Sequence, residues 1–142
     1  MKIAAYVRPW SIEYFQYFLP KAFPDSKTFL LSDFRGVGDY PWSQRFHEYF
    51  DKPEGDIRLP YWLDTSVELE IIYRSFLLRS MRLKDATKLL RAMSCSIDDM
   101  LIEIEPDAFV SPSADSYVMD LLIRHCKQRN IFYCGLLPCP FP

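Results

Sequence analysis

The sequence predicts an α/β fold, a Rossmann-like three-layer domain with a parallel sheet of four or five strands. Short apolar runs alternate along the 142-residue chain with segments whose apolar residues recur at helical spacing. The final part has an apolar run at 108–111, a helical pattern through Val118, Leu121 and Leu122, and a second apolar run at 131–137. This order predicts a βαβ unit. Strands joined through a helix run parallel, and right-handed crossovers place the series in the doubly wound class.

The first elements along the chain predict a strand, a helix and a second strand. Residues 3–7 are apolar, and Pro9 ends this first strand. Ser11 can cap the helix that follows, and Pro20 lies near its end. Residues 27–32 form the next apolar run. Because the chain opens on a strand almost at its first residue, we expect that strand to lie in the middle of the sheet.

The next segment predicts a loop, a short helix and a brief edge strand. Residues 33–41 hold two of the four glycines of the chain, which is typical of a loop. Residues 42–50 predict a short helix with Phe46, Tyr49 and Phe50 on its buried side. Residues 56–59 lie in a turn-rich stretch and predict an edge strand.

A long helical region begins at Asp64 or Thr65, and we expect a break near 82–84 that divides it into two helices. The first helix carries an apolar stripe of Leu69, Ile72, Tyr73, Phe76 and Leu77. The second carries a stripe of Leu89, Met93, Ile97, Met100, Leu101 and Ile104. Pro106 ends the second helix. No repeat or linker interrupts the chain, so residues 1–142 predict a single domain.

Composition excludes several partners. The net charge of -2 and the pI of about 5.7 give no electrostatic case for binding nucleic acid. No apolar run reaches the length of a transmembrane segment. The four cysteines form no zinc-type pair, and we expect them reduced in a cytoplasmic protein: Cys95, Cys126, Cys134 and Cys139.

The motifs of the common nucleotide enzymes are missing. Residues 8–11 follow the first strand in place of the glycine fingerprint that a dinucleotide requires. The chain contains neither a P-loop nor the serine elbow of a hydrolase, and no nucleophile lies near His47 or His125 in sequence. We therefore expect no cofactor and no metal.

Polar and aromatic residues gather where the predicted strands end. Ligands of open parallel sheets bind beyond the carboxyl ends of the strands. The predicted substrate-binding residues at this edge are Arg8, Trp10, Asp33, Arg35, Ser111, Ser113 and Ser116. Asp115 and His47 are the candidate catalytic bases. The ordinary alternatives are helix capping for the serines and acids, surface ion pairs for the arginines, and packing for His47 and the aromatic rings.

The final βαβ unit resembles the N-terminal half of GT-B-type glycosyltransferases, and more narrowly bacterial surface and capsular polysaccharide biosynthesis proteins. Pro106-Asp107 before the penultimate strand and Asn130-Ile131 before the last strand carry the resemblance. Weaker support comes from KIAAYV at the start and LLRAM in the long helix. The recognisable motifs cover about a third of the chain, and similar units occur in many Rossmann-like folds.

The resemblance implies an acceptor-side domain that forms one wall of a cleft, with the nucleotide sugar held by a second domain. The chain would then be the N-terminal half of a longer protein and inactive alone, with a carbohydrate acceptor or nucleotide sugar as its partner. The alternative is a non-catalytic interaction or ligand-binding module of the same shape that associates into a homodimer. A flat, exposed aromatic patch would favour that alternative.

Overall fold

The sheet confirms the predicted fold class. A computed structural model describes residues 1–112 and 116–136. Its strands are β1 (Lys2–Tyr6), β2 (Lys27–Leu31), β3 (Ala108–Pro112) and β4 (Phe132–Leu136). In the described part of the chain they form one four-stranded sheet in the order β2-β1-β3-β4, and every neighbouring pair is parallel.

The first strand lies inside the sheet, as its position in the sequence predicts. Ile3 of β1 is in register with Thr28 of β2 on one side and with Ala108 of β3 on the other. β2 and β3 lie on opposite sides of β1, so the direction of winding reverses between β1 and β3. In parallel sheets a crevice for ligands opens at such a reversal.

Helices cover both faces of the sheet and give three layers. They are α1 (Ile12–Ala22), α2 (Trp42–Phe50), α3 (Thr65–Arg74), α4 (Phe76–Arg79), α5 (Leu83–Ile104) and α6 (Tyr117–Gln128). α1 packs Phe15 and Leu19 against a small apolar cluster on one face. A much larger cluster on the other face joins β1 and β3 to α2, α3, α5 and α6.

Two local predictions are wrong. A single 3-10 turn at Glu54–Asp56 replaces the expected strand at 56–59. Of the stripe predicted for the first helix, Tyr73 and Phe76 are 68% and 78% exposed, and Glu68 is buried instead. Glu68 faces inward because its carboxylate pairs with Arg91 of α5, with 2.9 Å between Nη2 and Oε2.

The break between the long helices lies where the sequence predicts it, since Arg82 is the N-cap of α5. A second break at Ser75 separates α3 from α4. α5 buries its predicted stripe except Leu89, which is partly buried, and ends at Glu105, whose φ of 50° is left-handed. Among the described residues, no helix is long and apolar enough to cross a membrane.

Candidate functional site

The guanidinium of Arg8 lies among three aromatic rings at the carboxyl end of β1. Its Cζ is 5.7 Å from the ring centroid of Tyr6, 5.5 Å from that of Trp10 and 5.9 Å from that of Phe34. Trp10 and Phe34 meet edge to face with 6.1 Å between centroids. Cations within about 6 Å of a ring are attracted by its π-face. The rings therefore hold Arg8 in place, and Trp10 remains 73% exposed.

Asp33 lies beside this cation at the end of β2. The hydroxyl of Tyr6 donates to its Oδ1 over 2.6 Å. Burial, reinforced by the Asp33 carboxylate, raises the pKa of Tyr6 far above its usual value. The same two causes raise the pKa of Tyr117 at the start of α6. Both phenols therefore stay neutral, and the Asp33 carboxylate accepts the hydrogen bond from Tyr6.

Three backbone amides in the turn from β1 to α1 are hydrogen-bonded within the turn itself. The amides of Ser11 and Ile12 donate to the carbonyl of Arg8 over 2.9 and 3.1 Å. The amide of Arg8 donates in turn to the hydroxyl of Ser11 over 2.9 Å. These three amides are therefore not available to a pyrophosphate.

A groove of about 610 Å³ opens beside this cluster, between the loop after β2 and the first turn of α2. We call it the α2 groove; its walls include Phe34, Arg35, Asp39, Ser43, Gln44 and His47. Asp39 ties the loop to β2, because its Oδ2 accepts from the amide of Leu30 over 2.8 Å. Phe34 is shared with the Arg8 cluster, so the two sites are neighbours.

The predicted serines lie at the end of β3 and the start of α6. Ser111 is fully buried and hydrogen-bonds the hydroxyl of Tyr133 on β4. Ser116 is the N-cap of α6, but its hydroxyl makes no capping bond and is buried without a partner in the described part of the chain. Ser113 and Asp115 lie outside the described residues.

A buried series of Ser94, His125 and Asp98 joins α5 to α6, although sequence distance gave no sign of it. Nε2 of His125 lies 2.9 Å from Oγ of Ser94, and Nδ1 lies 3.4 Å from Oδ1 of Asp98. Arg129 also binds Asp98 over 2.6 Å. Ser94 is 0% exposed in the middle of α5, where helical amides are already paired, so it has neither access to substrate nor an oxyanion hole. The contacts of His125 with Ser94 and Asp98 are therefore structural, and they fix α6 against α5.

The structure thus brings the predicted residues together in two groups. Arg8, Trp10 and Asp33 form one cluster, and Arg35 and His47 line the adjacent α2 groove. Sequence reasoning missed Ser43 as a residue that lines the groove, since a serine in the first turn of a helix carries no special signal. Within residues 1–112 and 116–136, no group of three or more His, Cys, Asp or Glu side chains could hold a metal ion.

Comparison with known proteins assigns no family. No family model, no curated protein and no solved structure matches the chain.

Proposed function

We propose that this chain is the acceptor-side domain of a glycosyltransferase-like protein of surface polysaccharide biosynthesis in the cytoplasm. Within the chain, the Arg8 cluster would bind a sugar. The observation that carries the proposal is the juxtaposition of Arg8, Trp10 and Asp33 beyond the carboxyl ends of β1 and β2. Sugars present hydroxyls to charged side chains and C-H faces to aromatic rings, and this edge offers both kinds of group.

Each member of the cluster has a defined role in this proposal. The open face of Trp10 stacks on the sugar ring. Arg8, oriented by its aromatic neighbours, donates to ring or hydroxyl oxygens. Asp33 accepts from a sugar hydroxyl through Oδ2, which has no hydrogen bond among the described residues. The base that deprotonates the acceptor is Asp115 or His47; His47 is exposed on the wall of the neighbouring α2 groove.

Binding of mono- and oligosaccharides, measured by NMR titration and calorimetry, tests the proposal. Trp10→Ala is expected to weaken binding about tenfold, because it removes the stacking surface. Tyr61→Ala is the matched control: Tyr61 is 87% exposed, and its hydroxyl binds Gln128 at the far end of α6, towards the opposite edge of the sheet. Equal losses in both variants would contradict the proposal, as would sugar transfer by the purified chain alone.

One observation favours the alternative of a self-associating module. Tyr73 near the end of α3 and Phe76 and Leu77 in α4 are 68%, 78% and 54% exposed. Apolar clusters of this kind are common in interfaces between subunits. Sedimentation velocity across a concentration series separates the two readings. A dimer that Phe76→Ser abolishes would support the module, whereas a monomer at all concentrations would exclude it.

A further inference from the structure

We propose that the α2 groove is a binding site for the phosphoryl group of a small organic phosphate. The site is distinct from the Arg8 cluster, and the inference stands independently of the proposed sugar binding. The sequence contains no P-loop and no dinucleotide fingerprint. The groove nevertheless combines an uncapped helix start, a largely buried serine whose hydroxyl has no partner among the described residues, and a cation.

The first turn of α2 contains backbone amides that can donate hydrogen bonds to a ligand. The amide of Trp42 donates to the carbonyl of Tyr40, and that of Arg45 donates to the carbonyl of Pro41. Those of Ser43 and Gln44 have no acceptor among the described residues. The N-cap is Pro41, whose side chain cannot accept a hydrogen bond, and no acid lies in the first turn. Helix starts attract anions, because free amides and the helix dipole both favour negative charge there.

Ser43 supplies an independent sign of a ligand. It is only 8% exposed, lies on the wall of the groove and makes no side-chain hydrogen bond in the part of the chain that the structure describes. Because Ser116 carries the only side-chain oxygen that is fully buried without a partner among the described residues, the hydroxyl of Ser43 retains access from the groove although the rest of the residue is packed. A phosphoryl oxygen in the groove would accept from this hydroxyl and from the two free amides.

Arg35 contributes a cation to the wall of the groove. Its guanidinium is exposed on the groove wall and forms no ion pair with any described carboxylate. The one acid on the wall, Asp39, already accepts the amide of Leu30. Arginine donates two parallel hydrogen bonds to phosphate oxygens, which suits the geometry of a terminal phosphoryl group.

The size of the groove points to a ligand larger than inorganic phosphate. Its volume of about 610 Å³ falls within the range of small-molecule sites, which run from about 300 to 1,000 Å³. The aromatic ring of Phe34 and the side chains of Gln44 and His47 line the remaining space. The ligand class is therefore an organic phosphate, such as a sugar phosphate or a nucleoside diphosphate.

Titration with four probes tests the inference: inorganic phosphate, pyrophosphate, a hexose 1-phosphate and a nucleoside diphosphate. Amide NMR signals of Ser43 and Gln44 are expected to shift with the organic phosphates, which should bind more tightly than inorganic phosphate. Arg35→Gln and Ser43→Ala should each raise Kd about tenfold. Arg58→Gln, which removes an exposed arginine outside the groove, should leave Kd unchanged.

Several outcomes would overturn the inference. They are the absence of shifts at Ser43 and Gln44 with every probe at millimolar concentration, equal affinity for inorganic and organic phosphates, and an equal loss of affinity in Arg58→Gln. Trp10→Ala separates this site from the sugar site, because it should weaken sugar binding about tenfold and spare phosphate binding. Amide spectra of each variant establish that the fold is intact.

Discussion

At the scale of single residues, buried polar side chains fix how the helices meet the sheet and one another. Nε1 of Trp42 on α2 donates to Ser96 of α5 over 2.9 Å, and both residues are fully buried. His125 on α6 meets α5 through Ser94 and Asp98. In a low-dielectric interior each such group is costly unless it is paired. These pairs therefore select one packing of the helices.

The buried position of His125 between α5 and α6 predicts that the free energy of unfolding depends on pH. Burial lowers the pKa of His125, although the Asp98 carboxylate partly opposes that shift. Because the folded pKa lies below the unfolded value of 6.5, the unfolded chain binds the proton more readily. The contribution of His125 is thus complete above about pH 6.5 and is lost as the pH falls. The free energy of unfolding, measured with urea, should fall below pH 6.5 by at most about 1.4 kcal/mol per pH unit.

The chain offers a matched control for this prediction, because it has only 2 histidines. His125→Gln should flatten the dependence between pH 7.5 and 5.5, whereas His47→Gln, which changes an exposed side chain, should retain it. If His125→Gln does not fold, the imidazole signal of His125 in the unmodified protein should titrate below pH 6.5. A titration at or above that pH would refute the prediction.

Asp98 extends the same trend to lower pH. Its pKa falls to about 2, chiefly because it accepts from His125 and secondarily because of Arg129. A lowered acid pKa stabilises the fold above its unfolded value of 3.8, and the contribution is lost as the pH falls towards 2. Asp98→Asn should therefore reduce the loss of stability between pH 4 and 2, and acid titration of unfolding by circular dichroism measures that loss.

At the scale of elements, the loop from β2 to α2 depends on a close approach at Gly38. Its φ is +89°, and a Cβ there would lie 2.5 Å from the carbonyl oxygen of Leu30 on β2. Gly36 has a similar φ of +73° but nothing within 4 Å of a Cβ. Gly36→Ala should cost about 1 kcal/mol of unfolding free energy for backbone strain alone. Gly38→Ala should cost more, because the carbonyl of a strand cannot move aside.

Urea unfolding of the two variants measures this difference, and equal costs would contradict it. The loop also places Arg35 and Ser43 on the groove, so its geometry matters for binding. We expect Gly38→Ala to weaken phosphate binding and Gly36→Ala to leave it close to that of the unmodified protein. Calorimetry with a nucleoside diphosphate provides the measurement.

The same elements show what the sequence could predict. The stripes of α5 and α6 pack into the large apolar cluster, so their periodicity predicted helix and buried side together. The stripe of α3 failed because Glu68 gains a partner in Arg91, 23 positions along the chain, and pattern alone cannot show such a pairing. Arg8 and Asp33 could be placed at one edge because parallel strands end together. Their aromatic and phenolic neighbours, and the unpartnered Ser43, required the packed structure.

At the scale of the whole molecule, the two faces of the sheet are unequally stabilised. α1 buries only Phe15 and Leu19 of its 11 residues, and Pro20 removes one helical hydrogen bond. α5, on the side of the other face, buries 11 of its 22 residues. Regions with few buried contacts open at lower free energy than the global transition. We therefore expect α1, the helix that follows the turn containing Arg8, to unfold locally before the rest of the molecule.

Native-state hydrogen exchange tests this order of opening. Amides of α1 should exchange at a lower free energy than amides of α5, whose exchange should match global unfolding. Leu90→Ala, in the core of α5, should reduce the protection of α5 by about 2–5 kcal/mol and leave the opening of α1 unchanged. Leu19→Ala removes a contact that every opening of α1 breaks, so it should reduce the protection of both helices. If Leu90→Ala reduced the protection of α1 and of α5 equally, the molecule would open as one cooperative unit. In that case α1 would not open independently, and a ligand at its N-terminal turn could not act on a local opening of α1.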